Sequence, residues 1–546
     1  MRLKFLLLSS LIFIGGMAAT ALGASYTDGI EYFKAGQPER AKIILERTFN
    51  DPATNKAEAC YYLGEVYSKM NKNDSASYYY KMGLAADPTY VFNKIGEAKL
   101  LMKSNLKEAE SMIKDALKEK MSKKNPAVYL AVAQAYYQNL IPEYQKYLDK
   151  ALDYDKKFAE TYMFEGDILV DRQQYGDAAG YYEMAINFDP NCVPAYVKYS
   201  NIYFPINAQS AIQKLETLLQ LAPNSALAQR EMAEAYYKNG QYGKAVDAYG
   251  LYMSNPNHFD SDQARYGALL FFDKKYEESL DLINKVLESD PDNFVAKRLA
   301  MYDNYELKRY ADGVAAAEKF MSSPNNPQFN SRDYLTYGYL LIKNDQPDKA
   351  VSVFEKAIAI EPTNLDLYKE LSDAYRSAGD YVKSADAYNE YMKLDSANVR
   401  VQDYFILGGA YYQAAATAAD STDVEKAEKT RLYLAADSLF KIVIERAPED
   451  YRGHLWRARA NAGLDPETTM GTAKPYYEAA MAILEKDNNN PRALVECYKY
   501  LGYYNYLKEH ENNVKGFPQT RFYWEKVLTV DPEAADIKGA LEQLPK

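Results

Sequence analysis

Residues 57–90 read AEACYYLGEVYSKMNKNDSASYYYKMGLAADPTY. Two small residues, Gly64 and Ala76, are set against two large ones, Tyr67 and Tyr80. In a pair of antiparallel helices the small residues let the backbones approach, and the rings fill the space that is left. Pro88 cannot continue a helix, so the second helix stops before it and the chain reverses. The same marks recur along the chain. Pro190, Pro223, Pro256, Pro291, Pro324 and Pro362 stand 33, 33, 35, 33 and 38 residues apart. A small residue lies twelve positions before three of them (Ala178, Ala211, Ala350). A glycine lies 24 before several such prolines: Gly64 before Pro88, Gly166 before Pro190, Gly267 before Pro291, Gly338 before Pro362.

A period near 34 with Gly, Tyr, Ala, aromatic, Ala and Pro at fixed offsets resembles the tetratricopeptide repeat, about 34 residues of helix–turn–helix. Residues 57–90 depart from the family pattern only at the penultimate signature position. Clear copies cover 159–192, 226–256, 331–364 and 365–398. Weaker ones cover 25–55, 93–120 and 126–156, and degenerate ones 260–293 and 294–327. The resemblance implies an all-α, right-handed superhelical solenoid of about fourteen repeats. The expected organisation is a leader at 1–24, a repeat solenoid at 25–398, and C-terminal repeats with insertions and a capping helix at 399–546.

The leader has a three-part layout. Arg2 and Lys4 precede an apolar run from Phe5 to about Ile14, and Ala19-Thr20-Ala21 offers a small-x-small cleavage site. This reads as a secretory signal peptide, cleaved between Ala21 and Ser25. The expected location is periplasmic, with secretion, or anchoring by an uncleaved leader, as the alternatives. Removing the leader leaves 63 Lys+Arg against 76 Asp+Glu, a net charge of −13. Such a balance opposes nucleic-acid binding, which needs a basic face.

Residues for chemistry are scattered. His258, His454 and His510 lie far apart, without a second histidine or cysteine at metal-ligand spacing. Nucleophile-elbow, zincin, Walker and dinucleotide-loop motifs are missing. The reading is therefore non-catalytic, with no cofactor. Cys60, Cys192 and Cys497 fall in distant repeats. Because a solenoid repeat touches only its neighbours, no disulfide is expected among them; burial as core thiols is the expected state, with Cys192, in a turn, the more reachable alternative.

The resemblance also implies where partners bind. In the family, the first helix of each repeat forms a concave inner wall at positions near three before, one after and four after the signature glycine. Here those positions include Tyr61, Tyr137, Phe204, Tyr237, Phe271, Tyr339, Tyr412 and Tyr503. Tyrosine offers large contact area at low entropy cost. Lys369 precedes Asp373, and Arg230 precedes Glu234, at helical i,i+4 spacing. Each cation is expected to be neutralised by that neighbour, which argues against a clamp for acidic C-terminal tails. Two repeats are swollen, by sixteen residues around Ala414–Arg431 and by six near Glu509–Thr520. The first insertion suits an extension of both its helices, and Glu533–Leu544 suits a capping helix. The function expected is a cell-envelope scaffold or adapter binding protein or peptide partners, with membrane association only through a partner. The alternative is a chaperone-like module holding extended chains.

Overall fold

A computed structural model describes residues 25–323, 329–487 and 490–545. The leader and its cleavage site lie outside these residues. Among the described residues there are 29 α-helices, and no strand. They pair in chain order into fourteen hairpins, numbered here as repeats 1–14. Repeat 1 is Tyr26–Lys34 with Pro38–Thr48, repeat 14 is Pro491–Glu511 with Pro518–Val530, and Ala535–Gln543 closes the series. The chain is an all-α helical-repeat superhelix, as the 34-residue period implies.

Local chemistry sets the helix ends. Asn55, Asn125, Ser225, Asn293 and Asn330 cap first helices, their side-chain oxygens accepting backbone N–H bonds of 3.0–3.2 Å. Such caps satisfy donors that the helix itself leaves open. Pro88, Pro190, Pro223, Pro362 and Pro532 each follow the end of a second helix by two residues. Packing then follows the small–large pattern. A methyl added at Gly64 would sit 2.2 Å from the Tyr80 ring, and one at Gly166 2.5 Å from Tyr182. Gly338 faces Phe354 in the same way at 2.4 Å. In repeat 12 the partner of Gly408 is Phe440, twice as far along the chain. The sixteen inserted residues lengthen both helices, Val401–Thr417 and Asp423–Arg446, and leave the facing pair intact.

The chain divides into two compact units, 1–289 and 290–546. Repeats 1–8 form the first; repeats 9–14 and the terminal helix form the second. The division thus falls inside the stretch 25–398 that the sequence reads as one array. The long helices beginning at Val401 lie well within the second unit.

Neighbour-only contact does not hold in the first unit. Helix Tyr26–Lys34 packs on repeat 2, and also on the first helices of repeats 6 and 7, Val193–Tyr203 and Ala226–Lys238. Tyr32 is fully buried and meets Phe259 edge-on, with ring centroids 5.5 Å apart. Lys34 pairs with Glu160 of repeat 5. The Gln37 amide donates to Glu231 at 2.8 Å, and Arg40 meets Asp262 at 3.3 Å. Arg47 donates to Asn257 at 2.8 Å, the Ser225 hydroxyl to Glu31 at 3.1 Å, and the Asn257 amide to Asp28. A small rotation per repeat, accumulated over several repeats, brings the first hairpin against later ones. Unit 1 therefore closes on itself.

All three cysteines are free and buried. Cys192 does not stand out as reachable: it is the N-cap residue of Val193–Tyr203, in a core shared with repeat 1. Burial pushes the Cys60 and Cys192 thiols up to about 11 and Cys497 to about 12.

Candidate partner-binding face

The eight aromatic positions taken from the first helices divide by burial. Tyr61 and Phe271 are each only 7% exposed. Tyr61 packs against Tyr62, Tyr80 and Phe92, and Phe271 against Phe272 and Tyr276. Both belong to the core and cannot serve as contact surface, because the rings of adjacent helices cover them. Tyr137, Phe204, Tyr237, Tyr339 and Tyr412 are half-buried, and Tyr503 is 42% exposed.

The half-buried rings are held by neighbouring repeats. Tyr137 donates to Asp171 at 3.1 Å and meets Phe164 at right angles. Tyr237 lies beneath the Arg265 guanidinium, 4.1 Å from the ring centroid, and beside Tyr242 and Phe272. Tyr339 stacks on Tyr305 at 6.0 Å. Tyr412 meets Trp456 edge-on at 5.2 Å. Each of these four rings stays partly in solvent while it packs on neighbouring side chains, so its orientation is set before any partner arrives.

The charges are spoken for as well, but by different partners from those the i,i+4 spacing implies. Arg230 bonds Asp262, 32 residues on, at 2.9 Å, while Glu234 takes two bonds from Arg265 at 3.0 and 2.7 Å. Lys369 lies 4.2 Å from the Tyr391 ring centroid, and Asp373 pairs with Arg376. First helices of successive repeats stack side by side. A residue therefore meets its counterpart about one repeat away in better-shielded surroundings than those an i,i+4 neighbour offers on the surface. The rungs recur: Lys99–Glu65 at 2.7 Å, Lys198–Asp167 at 2.6 Å, Arg298–Asp333 at 2.9 Å and Arg459–Glu496 at 2.6 Å. Several carboxylates also accept a tyrosine hydroxyl: Tyr80 on Glu65, Tyr182 on Asp167, Tyr302 on Asp333. Burial pushes Glu234 up, but the Arg265 bonds outweigh it and hold the carboxyl below its usual range. Burial and the Glu65 charge together raise the Tyr80 hydroxyl. A shallow cavity of about 310 Å³ in repeat 11 includes Lys383 and Lys393, each already paired with its own acid. Among the described residues no three His, Cys, Asp or Glu side chains gather as a metal site.

A tetratricopeptide-repeat family model matches residues 207–256 and 335–399, which cover repeats 7 and 11, most of repeat 10 and the second helix of repeat 6. The chain is a tetratricopeptide-repeat protein. Superkiller protein 3 of Schizosaccharomyces pombe is 23% identical over 300 residues, 51% of this chain and 21% of that protein. The peroxisomal targeting signal receptor of Candida albicans is 22% identical over 248 residues, 45% of this chain and 37% of that one. The matches thus span 21% and 37% of these relatives' own lengths. The C-terminal part of a TPR repeat-containing protein from Cytophaga hutchinsonii shares 26% identity, with a TM-score of 0.39, over 51% of this chain and 99% of that one.

Tetratricopeptide-repeat proteins are scaffolds for protein–protein interaction. In this one, sequence reasoning missed the rungs between repeats. Their signal was present: an acid one residue after the signature glycine (Glu65, Asp167) has a cation 31–34 residues further on (Lys99, Lys198). Reading charges at the repeat period instead of the helical period exposes it. The residues that close unit 1, Arg40, Arg47, Asn257 and Asp262, carry no periodic mark.

Proposed function

We propose that this tetratricopeptide-repeat protein is an exported, non-catalytic adapter that holds protein or peptide partners on its first-helix faces. One observation carries the reading. Half-buried rings at Tyr237, Tyr339 and Tyr412 are pre-oriented, while cations such as Arg230 and Arg265 are already paired with acids of neighbouring repeats. A face of that kind binds through ring edges and apolar packing rather than by charge. The targeting-signal receptor among its relatives is by name a receptor for a signal, which supports a peptide as ligand. The basic, apolar and small-residue layout of 1–24 supports export.

An affinity pull-down with crosslinking from envelope fractions should recover one or two defined partners. Substituting Tyr339 and Tyr412 with Ala should weaken that binding by about 1–2 kcal/mol each and leave helix content unchanged. Affinity should vary only weakly with salt, since few free charges are neutralised on binding. Recovery of many unrelated chains would favour the holding of extended polypeptides. N-terminal sequencing tests export: the mature chain should begin between Ala21 and Ser25, and an intact Met1 in a membrane fraction would overturn it.

A further inference from the structure

We infer that the first hairpin, Tyr26–Lys34 with Pro38–Thr48, is a reversible latch that shuts the faces of repeats 5–7 within unit 1, and that those faces accept a helical hairpin of the same chemistry. Of the rings read above as binding positions, Tyr237 lies on repeat 7, which the latch meets; the inference does not rest on Tyr339 and Tyr412, which lie in the other unit and carry the pull-down test.

The latch is joined to the rest of the unit in two unlike ways. Along the chain it stacks on repeat 2, as any repeat does. Across the unit it is held by polar side chains at six places: Lys34–Glu160, Gln37–Glu231, Arg40–Asp262, Arg47–Asn257, Ser225–Glu31 and Asn257–Asp28. One aromatic contact, Tyr32 on Phe259, sits among them, and the Arg40 guanidinium lies 5.6 Å from the same Phe259 ring centroid.

The receiving surface is built for this. Glu231, Asp262 and Asn257 are 8%, 6% and 4% exposed. Arg230 fixes both Asp262 and Glu231 from below, and Tyr252 donates to Asp262 at 2.9 Å. Two acids, an amide and a phenyl ring therefore present one fixed pattern. Gln37, Arg40, Arg47 and Tyr32 are its complement.

Closure also has an opposing cost. Docking takes Glu31 and Asp28 out of water side by side, so both carboxyls are raised, chiefly by burial. Paired or not, a desolvated charge weighs against the state that buries it. Closure thus sets apolar burial, with Ile30 and Tyr32 in one core with residues of repeats 5–8, and six polar contacts against the desolvation of two carboxyls, and a terminal hairpin held in this way can open without unfolding the repeats that receive it.

The test uses the full chain. Hydrogen exchange of the wild type should show residues 26–48 opening at least about tenfold faster than the helices of repeats 5–7. Arg40→Ala with Arg47→Ala, both on the latch, should speed exchange at 26–48 further and leave repeats 5–7 protected. The native Cys192 thiol, buried in the core shared with repeat 1, should be labelled slowly when the latch is intact and at least about tenfold faster with R40A/R47A. An excess of a synthetic peptide spanning 25–50 should then slow that labelling again. A single common exchange rate for repeats 1 and 5–7 would overturn the inference. So would loss of protection in repeats 5–7 along with the latch, equal labelling in both backgrounds, or a peptide without effect on the fast-labelling variant.

Discussion

A single atom decides whether two helices of a repeat can meet. At Gly64 a Cβ would lie 2.2 Å from one edge of Tyr80, and at Gly96, in the next repeat, 2.4 Å from it. Tyr80 is thus clasped between two glycines, fully buried, with its hydroxyl donated to Glu65 at 2.7 Å. Gly64→Leu must displace that ring and should destabilise the protein by about 1–3 kcal/mol. A thermal or urea melt showing no loss would mean that the two helices do not approach there. The pair was legible in the sequence because it needs only identity and spacing. The left-handed turn residues were legible less often. Gly36, Gly240 and Gly379 have positive φ, but so do Asn71, Leu140, Gln173, Lys274, Lys308 and Asp345 at the matching turns. Packing of the flanking helices imposes that conformation on residues that do not favour it.

At the scale of helices, what joins one repeat to the next is a shared core and a rung of charge. Lys99 and Glu65 are both nearly buried, 2.7 Å apart. Lys99→Met leaves the Glu65 carboxylate buried without its cation, and should cost about 3–5 kcal/mol. Adding Glu65→Gln should recover part of that loss, because the amide can still accept from Tyr80. If the double variant is no more stable than the single one, the rung is not a coupled pair.

The latch helix has the opposite sense toward acid. Burial, then the neighbouring Asp28, raises Glu31 to about 7 from an ordinary 4.5, against the Ser225 hydrogen bond and Lys34. Asp28 is raised too, in spite of Arg47. A carboxyl raised in the docked state binds protons more tightly there than when released. Docking should therefore weaken as pH rises from about 4.5 to about 7, and change no further from this source above it. Glu234 is depressed, so its contribution is present above its unfolded value and fades in acid. Exchange at 26–34, followed from pH 5 to pH 8 and corrected for intrinsic rates, should show opening that grows up to about pH 7 and then levels off. Glu31→Gln should flatten the profile; an unchanged profile would remove Glu31 as its cause.

At the scale of the molecule, each unit holds apolar clusters of its own. One large cluster runs from Ile30 to Leu270 in the first, and smaller clusters built around Tyr388, Phe440 and Trp524 lie in the second. Stability is then a sum of local terms rather than one cooperative whole. The two tryptophans, Trp456 and Trp524, both belong to the second unit. Urea unfolding followed by tryptophan fluorescence should therefore report that unit alone, while far-ultraviolet circular dichroism reports both. Non-coincident transitions are expected, and a single superimposable transition would contradict independent units.

Period and residue size were enough to read the helical hairpins, their number and the pairing of Gly64, Gly166 and Gly338 with rings. These depend on contacts within one repeat or between adjacent ones, where spacing along the chain is spacing in space. The sixteen-residue insertion was legible as longer helices for the same reason. Availability was not. Tyr61 and Phe271 belong to the same set of offsets as Tyr237 and Tyr339, yet adjacent rings cover the first pair and leave the second half-exposed. Closure of the first unit was hidden altogether. Arg40 and Asp262 are 222 residues apart and meet only because small rotations add up over several repeats. No local pattern records a sum of rotations, so the tertiary structure alone decided which inner surface is open and which the chain fills with its own first repeat.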